Sequence, residues 1–166
     1  MKNIDIINLY QSINSNEDIK KLSGIKLSLL LLQNSDILEN YIKTLQKTVE
    51  PTEKYNVYEQ KRVELCEKYA IKNEDGTPKT KNVNGNIEFD INQTDEFNEN
   101  MKKLNDEFSE TIKDHNKKIN EYNSFMFEDA DIALKQINSE LLPDNVTYEI
   151  LKILKPILII KEESEN

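Results

Sequence analysis

The side chains capable of chemistry are few in type in this 166-residue chain. His115 is the single histidine and Cys66 the single cysteine. One imidazole excludes ordinary histidine-based zinc sites and leaves any histidine-dependent triad resting on one residue. His115 falls between Ile112 and Ile119 on an apolar helical face, so a histidine at the edge of the core is preferred over a functional one. One thiol excludes an intramolecular disulfide and every multi-cysteine metal site. A reactive thiol needs a nearby cation or a helix N-terminus to lower its pKa. Arg62 and Lys68 share a helix with Cys66, but Glu64 and Glu67 flank it more closely, so it reads as packed or idle.

Carboxylates are abundant, with 31 Asp and Glu against 22 Lys and Arg and a formal charge of −9. Acid–base or metal work requires them to converge in a pocket. Asp95, Glu99, Asp106 and Glu110 instead share one side of a helix, opposite its apolar seam. They read either as a solvated face or as a surface for a basic partner, in imitation of a nucleic-acid phosphate track. Asp90, Asn92, Thr94 and Glu96 are similar in outline to a calcium loop, but the glycine and the terminal bidentate Glu are missing. There is no dinucleotide fingerprint, no P-loop lysine and no nucleophile elbow, and three glycines cannot build the usual phosphate cradle. The expectation is a protein that is not an enzyme, with no catalytic residue, metal or cofactor. A metal-dependent nuclease is the least favoured alternative.

The elements that carry these residues read as mainly α, within a single domain of residues 1–166. Residues 1–24 form an N-terminal base segment, with Ile4, Ile7, Leu9, Tyr10 and Ile13 in an amphipathic stretch ahead of the polar turn NSNED. Residues 25–72 form a first long helix, with Leu27, Leu31, Leu38, Ile42, Leu45 and Val49 and then Tyr55, Tyr58, Arg62, Leu65 and Tyr69 at helical spacing. Pro51 interrupts it, since a proline inside a helix loses a hydrogen bond and clashes with the preceding turn at about 3 kcal/mol. A kink or break is expected there. Residues 73–93 carry the hairpin signal: Asp75-Gly76 marks a turn and Asn84-Gly85 suits a two-residue type I′ loop. That register sets Lys81 against Glu88 and Lys79 against Asp90, and puts Ile87, Phe89 and Ile91 on one face.

Residues 94–127 form a second long helix, whose seam Phe97, Met101, Leu104, Phe108, Ile112, His115, Ile119, Tyr122 and Met126 occupies an arc of about 80°. Residues 128–166 complete the base. Within them 125–142 stays open between helix and strand, Thr147 caps a helix from Tyr148 to Lys155, and KEESEN is expected to fray. Two long helices joined by a short hairpin-forming stretch must run antiparallel with their seams together. The expected fold is therefore a long antiparallel helical hairpin, a coiled-coil-like arm, with a small β-hairpin at its tip and a short helical base.

The acid excess sits in the second half, with net charges of −6 over residues 74–114 and −5 over residues 128–166. Such a chain lacks the basic footprint that phosphate backbones attract, so direct nucleic-acid binding is not expected. Neither apolar run approaches the ~20 residues that span a bilayer, so no membrane partner is expected. The start MKNIDIINLY carries Asp5 within its first apolar stretch, unlike a secretory leader, and the expected location is the cytoplasm of a bacterial host. The hairpin reads first as a helix connection. Its exposed corners, Asp75, Gly76, Asn84 and Gly85, are also the residues best placed to meet a partner.

The runs YEQKRVELCEKYAIKNEDGTPK (58–79), NGNIEFDINQTDEFNENMKKLNDEF (84–108) and LLPDNVTYEILKILKPIL (141–158) resemble a family of small proteins with a domain of unknown function, encoded by phages and prophages of low-GC bacteria. Tyr58, Glu59, Arg62, Leu65, Lys68 and Tyr69, the two turns, and Asp95, Phe97 and Leu104 carry the resemblance. Pro51 and the continuation through HNKKINEYNS depart from it. The resemblance transfers no catalytic residue and implies a viral origin with an accessory or morphogenetic role. The expected function is protein–protein binding, as a steric inhibitor of a host anti-phage defence nuclease in the manner of an anti-CRISPR. The expected partner is a host protein, such as a nucleic-acid-binding effector, met by the tip corners and by Asp95, Glu99, Asp106 and Glu110. The alternative partner is a second copy of the chain, in a virion-assembly or scaffold role. The helix–hairpin–helix outline is also similar to a prefoldin-type chaperone subunit, at the level of fold alone.

Overall fold

Pro51 has no amide hydrogen and disfavours a helical conformation at the residue before it. The chain obeys both limits in the computed structural model, which describes residues 1–83, 86–92 and 94–160. Helix α3 (Ile25–Thr48) stops before the proline. The Val49 N–H bonds back to Gln46, and the Thr48 hydroxyl donates to the Leu45 carbonyl at 2.6 Å. Helix α4 (Glu53–Tyr69) starts afresh behind Thr52, whose side chain caps it by accepting the Tyr55 N–H at 3.2 Å. The break expected at Pro51 is thus complete, giving two helices over 25–72, and they belong to different compact units. The first unit contains residues 1–49 and 121–166, the second residues 50–120. The fold is mainly helical, with seven α-helices among the described residues and a small antiparallel β-hairpin.

In the first unit, α1 (Asn3–Ser15) and the one-turn α2 (Glu17–Lys20) precede α3. Ile6, Leu9 and Ile13 of α1 bury against Leu27, Leu31, Leu38 and Ile42 of α3. Helix α7 (Tyr148–Leu154) closes the core with Ile150 and Leu154, capped by Thr147 as expected. The seam of α3 is therefore filled by the terminal segments and not by the second long helix. Residues 125–142 resolve into neither of the two expected forms throughout. After the last helical turn they run irregularly to a two-residue strand β3 (Ile137–Asn138) and a 3₁₀ turn. β3 pairs in parallel with β4 (Leu158–Ile159).

Two fully buried asparagines hold the irregular stretch in place. Asn34 of α3 donates to the Lys135 carbonyl at 2.8 Å and accepts the Lys135 N–H at 2.7 Å, reproducing a strand-like pair with one side chain. Asn3 donates to the carbonyls of Phe125 and Glu128, and Tyr41 donates its hydroxyl proton to the Asn3 side-chain oxygen. Buried backbone groups demand such partners.

The second unit is an antiparallel helical pair. Helix α5 (Asp95–Glu107) starts behind Thr94, whose hydroxyl accepts the Phe97 N–H at 3.1 Å. Helix α6 (Ser109–Phe125), which runs on past the unit boundary, continues it with one irregular residue, Phe108. The hydrogen-bond ladder carries through that residue, from Phe108 to Leu104 and from Ile112 to Phe108, so the expected helix over 94–127 is realised with a slight break. Against this pair α4 runs in the opposite direction. Tyr69 meets Phe97 (centroids 5.6 Å apart), Tyr58 meets Phe108 (5.7 Å), and Tyr55 stacks on His115 (3.7 Å). Phe97, Leu104 and Phe108 are all buried.

The strands β1 (Thr80–Val83) and β2 (Asn86–Phe89) pair antiparallel, with Lys81 opposite Glu88 and Val83 opposite Asn86. Asn84 and Gly85 lie outside the described residues, as does KEESEN. The register matches expectation, and Lys79 and Asp90 continue it through a backbone bond of 2.8 Å and an ion pair at 3.6 Å.

Replacing Asn34 by Ala removes the side-chain partner of both the Lys135 amide and carbonyl, in a part-buried pair whose asparagine is itself fully buried. A side-chain hydrogen bond contributes about 0.5–1.5 kcal/mol. Asn34→Ala is therefore expected to lower the unfolding free energy by about 1–3 kcal/mol in urea titration, whereas Asn34→Asp keeps the acceptor and loses the donor.

Candidate functional site

The Asp75-Gly76 turn is fixed largely by its own side chains. The Gly76 N–H donates to the Asn73 carbonyl and the Thr77 carbonyl accepts from the Asn73 N–H. The Asp75 carboxylate accepts both the Thr77 N–H (3.0 Å) and the Thr77 hydroxyl (2.6 Å). Gly76 has φ +82°, a conformation that a side-chain-bearing residue adopts only at a cost. The two Thr77 donors hold the Asp75 carboxyl below the usual aspartate range. Asp75 and Gly76 are both exposed, as expected of corners. Asn84 and Gly85, the other proposed corners, fall outside the described residues.

A third segment supports the hairpin. The Ile71 N–H donates to the Asp90 carbonyl at 2.8 Å, and the Lys79 N–H donates to the Ile71 carbonyl at 2.7 Å. Ala70 bridges Ile91. Burial along the shared face of β2 is graded: Phe89 and Ile91 are half-buried, whereas Ile87 is 79% exposed. Sequence alternation placed these three on one face but did not show that the outermost would be left without a cover. Ile91 lies beside the Ala70 bridge, and Ile87 lies four residues farther along the chain from it.

The four acids Asp95, Glu99, Asp106 and Glu110 are exposed on α5 and the start of α6. They form a row and do not converge, since Asp95 and Glu110 are separated by 15 residues, or about 22 Å of helix. Among the described residues no group of three or more His, Cys, Asp or Glu side chains is placed to hold a metal ion. Glu99 bonds Lys103 at 2.8 Å, which holds its carboxyl below the usual glutamate range. Lys102 and Lys113 share the same helical arc, so the acid excess of the row is smaller than its four carboxylates alone suggest. Glu110 also lines a cavity of about 310 Å³ beside His115, together with Lys54, Thr111, Asp114 and Lys118.

The remaining candidates are occupied structurally. His115 is half-buried under Tyr55 at the edge of the seam. Burial pushes the Cys66 thiol up, and the nearby Arg62 offsets only part of that. Arg62 itself is forked onto Glu59 at 2.9–3.1 Å. A thiol raised and buried in this way is a poor nucleophile. Asp90 faces the ammonium groups of Lys79 and Lys81 at 3.6 and 3.8 Å, and Thr94 is committed to its cap. No helix of the described residues is long and apolar enough to cross a membrane. No protein-family model, curated protein or solved structure matches the chain.

The depressed Asp75 pKa makes this turn sensitive to acid in a definite direction. Its stabilising contribution is complete above the unfolded aspartate pKa of about 3.9 and is lost as the pH falls through the lower folded value. Thr77→Val removes the hydroxyl donor, so the Asp75 side-chain carbon is expected to titrate closer to the ordinary range by NMR. An unchanged midpoint would assign the depression to another cause.

Proposed function

We propose that this chain works by binding another protein, and that the end of its antiparallel helical pair, with the β-hairpin, is the working part of that arm. The observation that carries the reading is Ile87, an apolar side chain left 79% exposed on a hairpin rimmed by charged residues. An apolar anchor within a polar rim is the usual anatomy of an interface. The excess of acid over residues 74–114 favours a basic partner surface and disfavours phosphate backbones. With the phage or prophage origin implied by the resemblance, the partner becomes a host nucleic-acid-binding effector, obstructed sterically in the manner of an anti-CRISPR. The exposed row Asp95, Glu99, Asp106 and Glu110 would face its basic channel.

The test is paired capture from host lysate, on immobilised wild-type chain and on the exposed-site variants Ile87→Lys and Asp106→Lys/Glu110→Lys. The expected result is a nucleic-acid-binding protein retained by wild type, depleted at least tenfold by each variant, and blocked from its nucleic acid when purified chain is added. Retention unaffected by all of these substitutions would overturn the reading.

Self-association is the second reading, favoured by a different observation. Ile25, Leu29 and Leu32 are 83%, 51% and 58% exposed at i, i+4 and i+7 on α3. A two-fold axis near Leu29 would set Ile25 of one copy against Leu32 of the other. If this reading holds, light scattering shows an oligomer that dissociates in Leu29→Lys/Leu32→Lys. A monomer of constant mass over a wide concentration range sinks it.

A further inference from the structure

We propose that the groove between α1 and α7, in the first unit, is a docking site for a basic segment of a partner protein that also carries apolar side chains. Two adjoining cavities of about 680 and 630 Å³ lie between these helices and share Ser12, Glu149 and Ile153, so they form one continuous groove. Asp5 lines one end and Asp18 the other. Along α1 alone the lining runs ten residues from Asp5 to Ser15, about 15 Å, which accommodates about four residues of extended chain.

The chemistry changes along that length. Leu9 and Pro156 supply apolar walls to the first cavity alone. Tyr148 and Asp18 line the second alone, and Glu149 and Ile153 line both. Tyr148 is 80% exposed, so packing of the fold does not account for its ring. An aromatic face beside a carboxylate is the combination that holds a guanidinium or an ammonium, through the ring quadrupole and a charge-assisted hydrogen bond.

The charges lining the groove point the same way. Asp5, Asp18 and Glu149 stand against one side-chain ammonium, Lys152. Asp5 already accepts the Lys2 N–H at 2.9 Å and Asp18 bonds Lys21 at 3.1 Å, while the Met1 amine is engaged by Asp129 at 3.6 Å. Glu149 is the lining carboxylate that has no partner among the described residues, and it lies where the two cavities join. An occupant with Arg or Lys at the Tyr148 end and Leu, Ile or Phe at the Pro156 end satisfies both halves. Nucleic acid and anionic lipid would meet carboxylates instead. This site is independent of the hairpin and shares no residue with it.

The experiment is panning of a random dodecapeptide display library on the full chain, followed by binding of the enriched sequences as synthetic peptides. Enriched peptides are expected to combine Arg or Lys with Leu, Ile or Phe and to shift the amide resonances of α1 and α7. They should bind Glu149→Lys at least tenfold more weakly and Tyr148→Ala several-fold more weakly, with Ile87→Lys behaving as wild type. Both groove positions are exposed, and thermal melts check that the variants fold. If Glu149→Lys does not fold, Tyr148→Ala carries the comparison. The proposal is overturned if nothing is enriched, if the enriched peptides are not basic, or if neither groove substitution weakens them. Loss of binding to Ile87→Lys alone overturns the groove while leaving the hairpin reading intact.

Discussion

The constraint on which the rest depends is the stop at Pro51. Without it, α3 and α4 would continue one apolar stripe, and one helix would carry a single seam through both halves of the chain. A proline at that point makes continuation cost about 3 kcal/mol, while Thr52 lowers the cost of starting again by satisfying the Tyr55 amide. The break lets each helix choose its own core. Leu27, Leu31, Leu38 and Ile42 bury with α1 and the C-terminal segment, while Tyr58 buries with Leu104 and Phe108.

The two cores are built differently. The first is aliphatic and draws on segments far apart in sequence, so its irregular stretch needs the side-chain amides of Asn3 and Asn34 where a regular element would satisfy its own backbone. The second is a thin aromatic seam. Its tyrosines keep their hydroxyls at the edge, where Tyr58 donates to Asn105 at 3.0 Å and the Asn100 amide donates to Tyr69 at 3.1 Å. Burial raises the pKa of Tyr55 and Tyr58 above the ordinary tyrosine value.

Much of this was legible in the sequence, because local rules dominate where elements are regular. The three-and-four spacing from Phe97 to Ile112, the cap at Thr147, and the pairing of Lys81 with Glu88 follow from periodicity, cap chemistry and turn length. The partner of the α3 seam was not legible. Periodicity states that Leu31 and Leu38 are buried, but not against what, and α1 supplied a closer apolar stripe than the helix after the hairpin. The path from Met126 to Leu142 was equally hidden, since Asn34 and Lys135 are 101 residues apart and nothing local marks either as a staple. Of the candidate site, the exposed acids and the Asp75-Gly76 corner follow from pattern. The exposure of Ile87 and the groove beside Tyr148 depend on which neighbours fail to arrive.

In the proposed binding role, the exposed acids and the exposed apolar side chains would divide the work of recognition between them. Carboxylates such as Glu99, already paired with Lys103, act mainly over distance. They bias encounter toward basic surfaces, they weaken as salt rises, and rim charges of this kind change association rates more than final affinity. Ile87 and Tyr148 act only on contact, by removing apolar surface from water, and such contacts govern how long a complex lasts. A chain that relied on its charge alone would bind many basic proteins weakly. On that proposal, one apolar anchor on a hairpin where Lys79 and Lys81 both pair with Asp90 would convert that general attraction into a requirement for shape, because the anchor contributes only where a matching pocket lies within reach of the charges.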